Sequence, residues 1–207
     1  MGRLWVCDEG RGQAKTERGV LCVFSPSDAC DLTLDPNTAY RKLRLSKHNK
    51  KVMREIEQKH PDHPDRFDQK PQVLCREGLT GRCYWEVQWS GEVYIAVTYR
   101  GITRRGDESV LGYNKQSWSL RCCDDDNSYS ARHNPEFTSI SVRPGGSHRV
   151  AVYLDCSAGT LSFYRPAQWK FGCLAHITKT SQSAQTVLWC FGDVSALLAG
   201  LRSAPVS

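Results

Sequence analysis

The sequence predicts an all-β fold built as a two-sheet sandwich, and three observations predict it. The first is strict alternation over residues 83–99: Cys83, Trp85, Val87 and Trp89 share one face, Ser90-Gly91-Glu92 turns the chain, and Val93, Ile95, Val97 and Tyr99 resume the period of two. This pattern reads as a β-hairpin with an apolar face. The second is the bulk of Trp85 and Trp89 on that face, a surface that a lone sheet leaves wet and a second sheet covers. The third is a succession of short strand-like segments between polar turns, roughly ten or more in all.

Taken in order, residues 1–24 mix Gly, Arg, Gln, Lys and Glu without sustained periodicity and form an N-terminal extension, so the domain starts near Ser25 and runs to about residue 195. Asp35-Pro36, an N-cap acceptor followed by proline at the first helical position, predicts a short helix over 37–42. Residues 43–56 read as strand, turn and strand, because a helix there would have only Val52, Met53 and Ile56 for its apolar stripe. Residues 60–70 are an extended connector. Beyond the 83–99 segment comes a polar loop, 99–110, then a strand at 117–120, an acidic turn at 124–127, a strand at 128–133 and a long loop at 134–146. Strands at 148–154 and 160–164 flank a turn, 185–191 supplies a last apolar strand, and 195–207 trails off.

Charge and composition remove several function classes. The 28 Lys and Arg exceed the 22 Asp and Glu, for a net charge of +6 that is spread evenly on either side of residue 70. Between Arg41 and Arg54 lie Lys42, Arg44, Lys47, Lys50 and Lys51 with no acid, but only Tyr40 is there to stack a base; this is a solvated strand face, not a nucleic-acid surface. No apolar run approaches the roughly 18 residues of a membrane span and the N-terminus lacks the form of a signal peptide, so a cytoplasmic chain is expected. The ten cysteines include no C-x-x-C pair, which predicts reduced thiols and no structural metal. Cys122-Cys123 is the pair to test for reactivity, although Asp124, Asp125 and Asp126 disfavour a thiolate. Prolines between His60 and Pro71 prevent a helix that would bring His60 and His63 together on a metal. No nucleophile elbow or phosphate-binding glycine loop is present, so neither catalysis nor a cofactor is expected.

Three segments carry a resemblance: Leu34-Asp35-Pro36, Trp85-Glu86-Val87-Gln88 and Leu154-Asp155-Cys156-Ser157, in that order and in a matching context over about residues 28–164. They resemble the B30.2, or PRY-SPRY, domain of tripartite-motif proteins, NACHT and leucine-rich-repeat receptors and stonustoxin-like proteins. Gln88 stands where the family carries an acid, and Cys156-Ser157 replace its aromatic and acid. The resemblance implies a bent antiparallel sandwich of the concanavalin-like jelly-roll type, with a PRY part over about 25–75, a SPRY part over about 76–195 and a tail at 196–207.

It also implies a non-catalytic module that binds a protein or peptide through loops at one end, in an innate-immune or ubiquitin-ligase setting. Arg104, Arg105, Asp107, Trp118, Asp124, Asp125, Asn127, Tyr129 and His133 are the residues expected to carry binding, the arginines by charge-assisted contacts and Trp118 and Tyr129 as aromatic anchors. For Trp118 a core position is the competing reading, and for Arg104 and Arg105 plain solvation is. A second reading takes Arg104, Arg105 and His133 as a basic pocket for a small phosphorylated ligand, as in butyrophilin relatives. Neither the partner nor the oligomeric state follows from the sequence.

Overall fold

The computed structural model describes residues 3–6, 25–56, 60–140, 148–166, 171–178, 186–191 and 199–202. Its strands are β1 (Arg3–Val6), β2 (Leu43–Ser46), β3 (Lys51–Arg54), β4 (Gln72–Leu74), β5 (Arg82–Gln88), β6 (Glu92–Thr98), β7 (Ser117–Cys123), β8 (Ser128–His133), β9 (Glu136–Ile140), β10 (Arg149–Asp155), β11 (Thr160–Pro166), β12 (Phe171–Thr178), β13 (Thr186–Phe191) and β14 (Ala199–Arg202). Eight lie side by side in the order β1-β12-β11-β10-β5-β14-β3-β2, and six in the order β4-β13-β6-β7-β8-β9. Every pairing between these strands is antiparallel.

The sandwich is as expected, but its central element is not a hairpin. β5 pairs with β10 and β14 in the larger sheet, whereas β6 pairs with β7 and β13 in the smaller one. The turn at Ser90-Gly91, with Gly91 at φ 71°, therefore carries the chain from one sheet to the other. Alternation alone does not distinguish the two outcomes: a hairpin and a sheet-to-sheet arch both need one apolar face per strand. Here the two faces oppose each other. Trp85, Val87 and Trp89 come from one sheet and Val93, Ile95 and Val97 from the other, all within 4% of complete burial. Leu120, Val150, Val152 and Phe163 complete the layer. Burying each large apolar chain there contributes roughly 2–3 kcal/mol.

The helix expected over 37–42 is corrected to a turn. Asp35 Oδ1 accepts the Asn37 amide at 3.0 Å and the Asp35 carbonyl accepts the Thr38 amide at 3.1 Å, which starts a helical turn. The next groups then turn to β4: Tyr40 N–H donates to the Gln72 carbonyl at 3.0 Å, and Thr38 Oγ1 accepts the Leu74 amide at 2.9 Å. Tertiary hydrogen bonds thus win over propagation, as they do for a helix too short to stabilise itself. Residues 43–54 form the expected hairpin of β2 and β3, with Lys47, His48 and Asn49 at left-handed φ in its turn. Its basic run is partly ion-paired, by Arg41 with Asp62, Arg44 with Glu55 and Lys50 with Asp31.

Other segments are more regular than the sequence suggested. β9 occupies part of the expected 134–146 loop, entered through a two-residue turn in which Asn134 has φ 55°. β1 lies within the N-terminal extension and pairs with β12, while β14, in the stretch expected to trail off, sits between β5 and β3. Residues 141–147 of the expected loop lie outside the described residues. Cys122 is fully buried and its thiol is pushed well up, first by burial, which makes it unreactive packing rather than a nucleophile.

Candidate functional site

On the outer face of the six-stranded sheet, Leu74 and Ala96 lie under a second, smaller apolar layer with Phe67, Ile102 and Leu111. Residues 60–71 and 99–116 therefore fold back over that face instead of standing free as loops. Gln72 fixes them there: wholly buried, it donates through Nε2 to the Ser109 carbonyl at 2.9 Å and accepts the Leu111 amide on Oε1 at 3.1 Å. Asn114 closes the same loop by donating to the carbonyls of Glu108 and Val110 and accepting from the Ser117 hydroxyl. Gly112, at φ 81°, passes so close to β7 that a Cβ there would lie 2.0 Å from Ser119 Oγ.

The result is an open groove of about 1150 Å³ lined by Lys70, Tyr94, Asp107, Tyr113, Lys115 and Asn134, among others. At its rim the Arg132 guanidinium lies over the Tyr113 ring, 4.1 Å from its centroid, and over the Phe137 ring at 4.9 Å. Tyr113 and Phe137 are 48% and 52% exposed, two of the few large apolar side chains on the described surface. Tyr94 faces into the groove, its hydroxyl on Glu92 at 3.3 Å, and its pKa is pushed up to about 12 first by burial and then by the Glu92 charge.

The nine residues expected to bind do not gather in one place. β7 runs from Ser117 to Cys123, so Trp118 and His133 lie near one end of the sheet while Asp124, Asp125, Asn127 and Tyr129 lie near the other. Trp118 is buried, packed edge-on against Tyr99 and stacked on His133 at 4.6 Å; His133 in turn hydrogen-bonds the Ser117 carbonyl at 2.8 Å. Tyr129 is buried against Trp89, and burial pushes its hydroxyl up to about 12. Asp124 accepts the Gly91 amide at 3.0 Å and pairs with His148, tying the turn after β7 to the arch. Asn127 is the left-handed residue of that turn, at φ 49°, and Asp125 is exposed.

Arg104 is held by the chain itself: its guanidinium donates to the carbonyls of Asp65, Arg100 and Ile102 and lies over the Phe67 ring at 5.2 Å. Arg105 is exposed and lines a different depression, and Asp107 alone of the nine lines the large groove. The sequence reading missed Tyr113, Arg132 and Phe137. Alternation over residues 128–133, and again over 136–140 after a two-residue turn, would have put Arg132 and Phe137 on one outward face, had residues 134–146 not been read as one loop.

These features define a β-sandwich that builds its open surface from loops packed on one sheet. The chain belongs to the PRY-SPRY, or B30.2, family: the SPRY domain model matches residues 82–188 and the SPRY-associated PRY model residues 32–79. It is 44% identical over 137 residues to stonustoxin subunit beta of Synanceia horrida, covering 65% of this chain and 19% of that protein. To tripartite motif-containing protein 16 of Mus musculus it is 39% identical over 142 residues, covering 66% and 25% respectively. The crystal structure of the TRIM65 PSpry domain superposes with a TM-score of 0.73 at 25% identity, over 85% of this chain and 91% of that one. The chain thus spans about a fifth to a quarter of the length of these curated relatives. Among the described residues no helix is long and apolar enough to cross a membrane.

Proposed function

We propose that the chain is a non-catalytic recognition module that holds a protein or peptide partner on the outer face of the six-stranded sheet. The observation that carries this is the Arg132 guanidinium clasped between two half-exposed aromatic rings at the rim of a preformed groove. Arginine and tyrosine dominate binding energy at interfaces, and a guanidinium already oriented by ring stacking loses little freedom when it meets a partner. Polar groups in the groove, Asp107 and Lys115 among them, give it both donors and acceptors. A cytoplasmic, tripartite-motif-like and innate-immune setting belongs to the same proposal, and the likeness to tripartite motif-containing protein 16 supports its tripartite-motif part.

A pocket for a small phosphorylated ligand is less well supported. Arg104 is engaged with carbonyls, Arg105 faces another depression and His133 is stacked on Trp118, so the three do not share one cavity.

The test is quantitative affinity purification from the native cells with the wild-type chain and with Tyr113→Ala/Phe137→Ala and Arg132→Glu variants of unchanged melting temperature. The reading expects a partner that binds the wild type and is lost from the variants. Partners recovered equally by all three would move the interface elsewhere.

A further inference from the structure

The depression that Arg105 lines is separate from the large groove: it measures about 690 Å³, has Tyr40, Arg41, Lys42, His63, Arg66 and Arg105 in its wall, and shares no lining residue with the other. Asp62 and Asp68 also line it, so four cations face two carboxylates. Asp62 is already paired with Arg41. Lys42 and Arg105 are exposed.

Two arginines, Arg66 in this wall and Arg104 beside it, have guanidiniums that are hydrogen-bonded by carbonyl oxygens. Arg66, 6% exposed, donates to the carbonyls of Pro36, Ala39 and Pro61. Arg104, whose guanidinium lies over the Phe67 ring, does the same with Asp65, Arg100 and Ile102. Carbonyl dipoles solvate a guanidinium but do not neutralise it, so both leave positive potential in a partly desolvated wall. Burial lowers the pKa of both; Arg41 lowers that of Arg66 further against the opposing pull of Asp62 and Asp35, whereas beside Arg104 the Asp65 charge raises it more than Arg100 lowers it. His63 accepts the Asp65 amide on Nδ1 at 3.2 Å, which leaves Nε2 to carry the ring proton as a further donor.

We infer that this depression is a second docking surface, one that takes an acidic stretch of a partner protein, with carboxylates against Lys42 and Arg105 and apolar groups against Tyr40 and Pro64. The depression is open, as an extended peptide needs, and the positive wall is short. Asp62 and Asp68 at its margins repel a long uniform polyanion more than a segment with two or three carboxylates. The surface does not rest on the large groove.

Immobilised twelve-residue peptides of matched hydropathy carrying no, two or four glutamates test it directly. The expected result is binding by the full chain that rises with glutamate number. It weakens at least about tenfold in a Lys42→Glu/Arg105→Glu variant and falls between 0.05 and 0.2 M salt. A Lys47→Glu/Lys51→Glu variant makes the same change in net charge away from the depression and is expected to bind as wild type, and so is Tyr113→Ala/Phe137→Ala. That last result separates this surface from the large groove, whose failure as an interface would leave it untouched. Binding independent of glutamate number, equal loss in both double charge variants, or preference for a phosphoserine peptide or an oligothymidylate over the four-glutamate peptide would overturn the inference.

Discussion

The turn at 124–127 and the loop at 99–116 leave opposite ends of β7, and they use polar side chains in opposite ways. In the turn, Asp124 points back at the sandwich and holds Gly91 and His148, so its charge acts as a tie between loops. In the loop, the inward work is done by Ile102 and Leu111 and by the amides of Gln72 and Asn114. That arrangement leaves Asp107, Tyr113, Lys115 and Arg105 for solvent and for partners. A charged loop residue is thus a brace where its charge is turned onto the chain, as in Asp124 and Arg104, and free for contact where other groups hold the loop and the side chain is exposed, as in Arg105.

The loop side depends most on Arg66. Removing a buried guanidinium that satisfies four bonds to carbonyls strips the 60–71 segment of its anchor, and Arg66→Ala is expected to cost about 3 kcal/mol in urea unfolding. A loss below about 1 kcal/mol would mean that water replaces the guanidinium there. Gly112→Ala comes next, at about 2 kcal/mol, because the new Cβ meets Ser119 Oγ and the backbone keeps its φ of 81°. Adding Ser119→Ala should recover only the steric part; full recovery in thermal melts would show that the left-handed conformation costs nothing.

Arg104 and Arg105 sharpen the comparison within the loop itself. Arg104→Ala is expected to lose about 1–2 kcal/mol, since its carbonyl partners are left without a donor, whereas Arg105→Ala should stay within about 0.5 kcal/mol of wild type. Equal values from parallel denaturant titrations would break the distinction between brace and contact.

Adjacent arginines look alike in the sequence, and that is where its legibility ends. The apolar alternation at Trp85, Val87, Val93 and Ile95 specified two sheets because burial of a face depends only on period. It did not say which strand pairs with which, because partner choice is settled by distant segments such as β10 and β14. The site was less legible still. Trp118 and Tyr129 were expected as surface anchors or, for Trp118, core, and their burial follows from register with Val97 and Cys122. Tyr113, Arg132 and Phe137 come together only because Gly112 brings the loop against β7 and a two-residue turn brings β9 against β8.

At the turn side the effects are smaller. Asp124→Asn removes a partly exposed contact with His148, an ion pair only while that ring is protonated, and leaves an oxygen for the Gly91 amide, so at pH 5, where an ordinary histidine is charged, a loss of about 0.5–1 kcal/mol is expected, shrinking in 0.5 M salt. A loss that does not change with salt would assign the effect to the turn's hydrogen bond instead of the charge.

Gln88 offers the smallest and most directed test, because it asks whether this end can take one more tie. Glu86, the acid of the W-E-V motif, is buried and already accepts from the Tyr84 hydroxyl at 2.7 Å and from Arg149. Gln88 is exposed and lies directly opposite Arg149 in the pairing of β5 with β10. Among the described residues Arg149 Nε has no hydrogen-bond partner, so a carboxylate at position 88 has a donor within reach across the strands. Gln88→Glu is therefore expected to stabilise by about 0.2–0.5 kcal/mol, a rise of about 1 °C in melting temperature, that disappears at high salt. A lower melting temperature would mean that the new charge competes with Glu86 for the same guanidinium, and that the acid the family carries here has been replaced without loss because Glu86 alone balances Arg149.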